Sequence, residues 1–164
     1  MQKGFTLIEM MIVITVSAVL MAMVIFYGRG GEKQIILLTE QAKLINTILR
    51  SKSLAIQTFN QPRRPCGYGV HFVPNGYILF KDLSEDCSLS DKKYSGPDED
   101  VDNIILNKAV KFLPPPLLDV LFIPPDPTVI LIPSQPEAVL TIATLDEASS
   151  LKVKVTEAGQ VTFQ

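Results

Sequence analysis

Histidine is almost missing from this chain. His71 is the single one in 164 residues, which excludes a histidine-based metal cluster or proton relay within one molecule. Tryptophan is absent. The glycines form neither a P-loop nor a dinucleotide-binding pattern. Basic residues are not in excess. Fifteen Lys and Arg stand against seventeen Asp and Glu, for a net charge of −2 and a pI near 5.4. That balance carries no global footprint of nucleic-acid binding. With no catalytic constellation in view, neither enzymatic activity nor a metal or cofactor is expected. The most local absence is the most telling: residues 5–27, FTLIEMMIVITVSAVLMAMVIFY, contain no Pro, no Gly and one charge, Glu9.

As a helix rising ~1.5 Å per residue, that run spans roughly 35 Å, enough to cross a ~30 Å hydrocarbon core. A secretory signal peptide has a shorter apolar region of ~7–15 residues, and the small pair Ser17-Ala18 lies mid-run. A plain single-pass anchor fits the length but leaves Glu9 unexplained. An ionisable group inside a membrane segment is costly and points to function.

Lys3-Gly4-Phe5-Thr6-Leu7-Ile8-Glu9 resembles the class III signal of type IV pilins and type II secretion pseudopilins. The resemblance implies cleavage after Gly4 by a prepilin peptidase and N-methylation of the new first residue, Phe5. Glu9 falls at the fifth mature position, where the family carries a Glu. Cleavage removes Lys3 and creates an α-amine with an ordinary pKa of ~7.7, mostly cationic at neutral pH. A carboxylate in lipid needs such a counter-ion. In the family the amine of one subunit meets the Glu of its neighbour, so Glu9 is expected to form an assembly charge pair. Snorkelling of Glu9 to the headgroups is the competing reading. Implied partners are other pilin or pseudopilin subunits, the peptidase and the membrane. Implied location is the bacterial inner membrane, crossed once with the N-terminus in and the head in the periplasm or outside, and then a filament.

Beyond the anchor, roughly 130 residues are enough for one domain with its own core. Cys66 and Cys87 lie in the part that would be exported, where an even count suggests a disulfide. Such a bond would close a loop of ~20 residues and stabilise by roughly 3 kcal/mol; two buried thiols are the alternative.

Gly28-Arg29-Gly30-Gly31 lowers helix propensity by ~1 kcal/mol per glycine and is expected to be a joint between anchor and head. Many type IV pilins have a Pro near the position of Phe26; this chain does not. Arg29 and Lys33 follow the anchor and Lys3 alone precedes it, so charge does not set an N-in orientation; the resemblance does. Residues 32–60 form an amphipathic helix, with Leu38, Ala42, Ile45, Leu49, Ile56 and Phe59 expected to face a sheet. Lys43, Asn46, Arg50 and Gln57 mark the opposite side. Gln61-Pro62-Arg63-Arg64-Pro65 ends the helix. The Arg63-Arg64 pair reads as a solvated turn rather than a DNA contact.

From Tyr68 the period becomes two, and Pro74-Asn75-Gly76 turns the chain into Tyr77–Lys81, a hairpin. Together with the Arg-, Ser- and Ala-bearing helix before it, this hairpin resembles the H-type and FimT-like minor pseudopilins and minor pilins, over roughly residues 1–81. Residues 82–103 are acidic and read as a loop. Asp98, Asp100 and Asp102 are spaced as calcium ligands can be, but the Gly and distal Glu of an EF-hand are missing, and a solvated loop is favoured. Proline-cut strands follow at Lys108–Leu113, Leu118–Ile123, Thr128–Ile132, Ala138–Ala143, Leu151–Thr156 and Gln160–Phe163.

The expected fold is α+β: a long N-terminal α-helix, membrane half plus amphipathic half, on an antiparallel β-sheet or sandwich head. Its expected parts are a leader at 1–4, a transmembrane or filament-core helix at 5–27, a glycine joint at 28–31, an amphipathic helix at 32–60 and a β-rich head at 61–164. The expected function is that of a minor pilin or pseudopilin, a structural subunit of a type IV pilus or secretion pseudopilus. The alternatives are a DNA-binding minor pilin for DNA uptake and an anchored envelope protein outside any filament.

Overall fold

The computed structural model describes residues 6–62, 64–114, 117–125 and 128–163. The chain divides into two compact units, one ending at Ile35 and one from Ile36 onward. A single helix, α1, runs from Leu7 to Thr58. The backbone is helical through residues 28–31, so both halves of the expected long helix belong to one element. A few glycines at ~1 kcal/mol each do not interrupt a helix flanked on both sides by strong helix formers.

In the second unit the buried positions of α1 are Leu37, Gln41, Leu44, Ile48, Ser51, Ala55 and Thr58, with Glu40 beside them. This corrects the expected core stripe. Leu38, Leu49 and Ile56 are 55%, 45% and 49% exposed, Ala42 is exposed, and Ile45 and Phe59 are half-buried. The expected stripe is displaced by about one residue, because the true core face carries polar side chains that a search for apolar periodicity passes over. Each of them has a partner, as burial demands, although Glu40 Oε2 has none among the described residues. Gln41 Nε2 donates to the Lys152 carbonyl at 3.1 Å, the Ser51 hydroxyl to Ile48 at 2.7 Å and the Thr58 hydroxyl to Leu54 at 2.8 Å. Glu40 takes Lys43 Nζ at 2.8 Å.

Among the described residues nine strands follow: β1 Gly67–Val73, β2 Gly76–Asp82, β3 Asp100–Ile105, β4 Val110–Leu113, β5 Asp119–Ile123, β6 Thr128–Ile132, β7 Glu137–Thr144, β8 Ser150–Thr156 and β9 Val161–Phe163. They form two antiparallel sheets, ordered β3-β2-β1-β5-β6 and β4-β7-β8-β9. The fold is therefore α+β, a long helix packed on two antiparallel sheets. The hairpin lies where the Asn-Gly signal puts it, with Val73 opposite Gly76. One main core joins Leu44 and Ile48 of α1 to Val70, Phe72, Leu79 and Phe122 of the first sheet and Leu140, Ile142 and Val153 of the second.

The expected loop at 82–103 ends in a strand instead. β3 pairs with β2 from Gly76↔Ile105 to Phe80↔Asp100. It is an edge strand, largely exposed, and edges tolerate the acidic residues that made it read as loop. Gly76 is required by this pairing, since a Cβ there would sit 2.2 Å from the Ile104 carbonyl oxygen.

The helix face is directly testable. Ile48→Ala should destabilise by about 2–5 kcal/mol through lost burial and a cavity, and Leu49→Ala by no more than about 0.5 kcal/mol. Denaturant unfolding of both variants in detergent checks this; the reverse order would put the core on the other face.

Candidate functional site at the start of the helix

Thr6 and Glu9 close the first turn of α1. Glu9 N–H donates to the Thr6 carbonyl at 3.1 Å and lies 3.4 Å from the Thr6 hydroxyl oxygen. In return, Glu9 Oε2 accepts from the Thr6 backbone N–H at 3.4 Å and the Thr6 hydroxyl at 3.5 Å. This is a capping box, Thr-x-x-Glu, with long bonds. It supplies two helix-end N–H groups with acceptors and holds the carboxylate against the N-terminal end of the helix dipole. Sequence reasoning noticed Glu9 but missed this box, although the spacing signals it.

After Glu9 the helix surface is unrelieved. Leu7–Ile25 spans 19 residues with a mean hydropathy of 2.5, and none of that span is buried within the chain. At ~1.5 Å per residue it is about 28 Å long. This helix is long and apolar enough to cross a membrane. Lys3, Gly4 and Phe5, the residues expected to carry cleavage and methylation, lie outside the described residues.

A comparison of the chain with known proteins bears on the same stretch. Residues 1–25 match the prokaryotic N-terminal methylation motif. The chain carries a prepilin-type signal. No curated protein and no solved structure matched it. The match takes in the Thr6–Glu9 capping box and the apolar helix to Ile25, and it does not extend beyond residue 25.

The other residues singled out from sequence fall elsewhere. Cys66 and Cys87 are joined by a disulfide with Cα atoms 5.1 Å apart. Asp98, Asp100 and Asp102 do not converge. Asp100 accepts the Tyr94 hydroxyl at 2.8 Å, and Asp102 pairs with Arg50 at 3.0 Å. Among the described residues no group of His, Cys, Asp or Glu could hold a metal ion. Arg64 stacks over Phe59, 4.4 Å from the ring centre, and donates to its carbonyl; Arg63, Pro115 and Pro116 lie outside the described residues. His71 is neither idle nor simply packed. Its Nδ1 is 2.6 Å from Asp119 Oδ1, and Asp119 is 4% exposed. Forty-eight residues separate the two, so no local signal could join them.

Tyr77 is a further buried polar group. Its hydroxyl has no hydrogen-bond partner among the described residues. Thr47 stands beside it, near enough to favour the phenolate slightly, but the Thr47 proton goes to the Lys43 carbonyl. Burial pushes Tyr77 up to about 12, with Glu40 and Asp102 adding to the rise. A raised folded pKa means stability that is full below the ordinary tyrosine value near ~10 and is lost as pH rises toward the folded value. Wild type should lose stability from pH ~10 upward, and Tyr77→Phe should lessen that alkaline loss. Melting curves across the range, with absorbance at the tyrosinate band, measure it; equal slopes for the two proteins would refute it.

Proposed function

We propose that this chain is a minor pilin or pseudopilin, a structural subunit rather than an enzyme. A membrane prepilin peptidase cuts it after Gly4 and methylates Phe5, and packing of its apolar helix draws it into a filament. The observation that carries this reading is the methylation motif set on a 19-residue apolar helix with no covering inside the chain. That helix must find lipid or other helices. A lipid-spanning helix satisfies its own backbone hydrogen bonds, so packing against like helices needs only side-chain fit and a partner for Glu9.

Glu9 fits such a role. In the precursor its carboxylate rests on the Thr6 N–H and hydroxyl, long bonds from uncharged donors, and among the described residues no cation pairs with it. The N-methyl amine of Phe5 in a neighbouring subunit would provide one, and an ion pair in a low-dielectric environment is worth forming once both charges are already there. Uptake of DNA is less well supported. Of the cations near the exposed face of α1, Lys43 and Arg50 already pair with Glu40 and Asp102.

Two linked measurements test the reading. Co-expressed with a prepilin peptidase, the protein should begin at N-methyl-Phe5 by mass spectrometry of the N-terminal peptide; a persistent Met1 terminus would overturn it. Glu9→Ala should still be cut, since the cleavage site precedes the helix. It should insert more readily, an acidic residue costing up to ~2.5–3.5 kcal/mol. What it should lose is co-purification with sheared filaments, and wild-type incorporation would remove the charge-pair role. Glu9→Asp keeps the charge with shorter reach and should incorporate partially.

A further inference from the structure

The five-stranded sheet is covered on both faces. One face meets the main core. On the other, Ile78, Phe80 and Leu121 are buried although they stand outside the main core cluster. Two glycines of β1 make room for them. A Cβ on Gly69 would lie 2.6 Å from the Phe80 ring, and one on Gly67 would lie 2.9 Å from the Leu121 side chain. Phe80 and Leu121 therefore pack closely over the bare backbone of β1.

Residues 83–99 follow β2, reach Phe80 of this second layer through Tyr94 and are tied down at several points. Tyr94 stacks on His71 at 4.4 Å and meets Phe80 edge-on at 5.5 Å. Buried Glu99 accepts the backbone N–H groups of Leu83 at 3.2 Å and Ser95 at 2.7 Å. The Ser90 hydroxyl donates to buried Asp82. The covalent tie is Cys66–Cys87. We infer that residues 83–99 form a disulfide-locked strap, and that the oxidation state of Cys66 and Cys87 decides whether the apolar layer of Phe80 and Leu121 is hidden or presented.

The two sulfurs are not equally placed. Cys66 is 6% exposed. Cys87 is half-buried and lines a cleft of about 730 Å³ together with Pro62, Arg64, Leu83, Glu85 and Asp86. A dithiol reductant entering that cleft attacks Cys87 Sγ. The Sγ–Sγ bond breaks, and its electron pair leaves on Cys66 Sγ, which takes up a proton. The reductant's second thiolate then displaces Cys87, which is protonated in turn, and the reductant departs as its own disulfide. Two electrons and two protons pass to the protein. With the bond intact Cys66 Sγ already lies 3.8 Å from the Ser84 carbonyl oxygen, an acceptor beside the thiol that reduction frees. The non-covalent ties that remain are aromatic contacts and hydrogen bonds of ordinary strength, and they no longer benefit from a closed loop. The reduced strap opens, and the head presents apolar surface that the oxidised head conceals.

Lys92 and Lys93 are exposed on the strap and report its opening to trypsin. In the full chain in detergent micelles, reduction with a dithiol should raise cleavage after Lys92 and Lys93 about tenfold, as local opening without global unfolding does. Cleavage after Lys152 and Lys154 of β8 should be unchanged. Cys66→Ser/Cys87→Ser should behave the same way without reductant. A soluble gadolinium chelate should broaden the Leu121 methyl signals in the reduced protein and spare them in the oxidised one. The inference is overturned by unchanged strap cleavage with both thiols alkylated. It is overturned equally by a parallel rise at Lys152 and Lys154, which makes the bond a tie of the whole head, or by Leu121 methyls that stay protected. None of these readouts depends on filament assembly.

Discussion

The apolar surface of Leu7–Ile25 is the constraint on which the rest depends. At roughly 25 cal/mol per Å² of apolar area, a helix of this composition cannot remain in water, and the chain buries none of it. Its environment must come from outside the molecule. Two solvents serve, a bilayer and a bundle of similar helices, and a helix suits both because its backbone hydrogen bonds are internal in either. What differs between them is the treatment of Glu9. Near the bilayer surface the carboxylate can reach water and keep its bonds to Thr6. Deep in a bundle it needs a cation. One side chain thus distinguishes two environments that the remaining apolar residues treat alike.

In the second unit α1 follows a different rule. Its core face is mixed, with Gln41, Ser51 and Thr58 among aliphatic side chains. Each polar group finds a carbonyl, two of them on α1 itself and one on β8. The Gln41 contact to Lys152 ties the helix to the four-stranded sheet at a fixed register, which a purely aliphatic face would do less specifically. Leu38, Leu49 and Ile56 meanwhile stay exposed.

What could be read from sequence follows from this arrangement. The long apolar helix, the Asn-Gly hairpin and the proline-bounded strands were legible because each has a local physical signature: length, turn chemistry or a missing donor. The helix stripe was misplaced by one position because periodicity counts apolar residues, whereas the core at 41, 51 and 58 accepts polar ones with partners. β3 was hidden by its acidic side chains, which an edge strand tolerates and a central strand would not. The capping box was visible in Thr6-x-x-Glu9 and passed over, since Glu9 already had an explanation. The His71–Asp119 pair was beyond reach. Its geometry is set by β1 lying beside β5, with His71 directly opposite Asp119, a fact of topology rather than of spacing.

The glycines of β1 explain why its neighbours look as they do. A sheet covered on both faces needs apolar side chains on both, and such strands read as continuous apolar runs rather than alternating ones. Tyr77-Ile78-Leu79-Phe80 of β2 and Val120-Leu121-Phe122 of β5 are runs of this kind. β1 lies between them and alternates instead, with Gly67 and Gly69 on the second face. Large side chains from all three strands would overfill that face, so β1 yields its share and Phe80 and Leu121 occupy the space. Along β1 and β5 the layer ends at His71, with Ile78 of β2 on one side of it and Asp119 of β5 on the other. Toward β5 the face changes from apolar to ionisable, and buried Asp119 gains a ring nitrogen as partner while the flat imidazole gives Tyr94 a surface on which to stack. A hydrophobic residue at 71 could support the ring but would leave the carboxylate alone. A lysine could pair with the carboxylate but would offer no flat surface. The chain's single histidine stands where both demands meet.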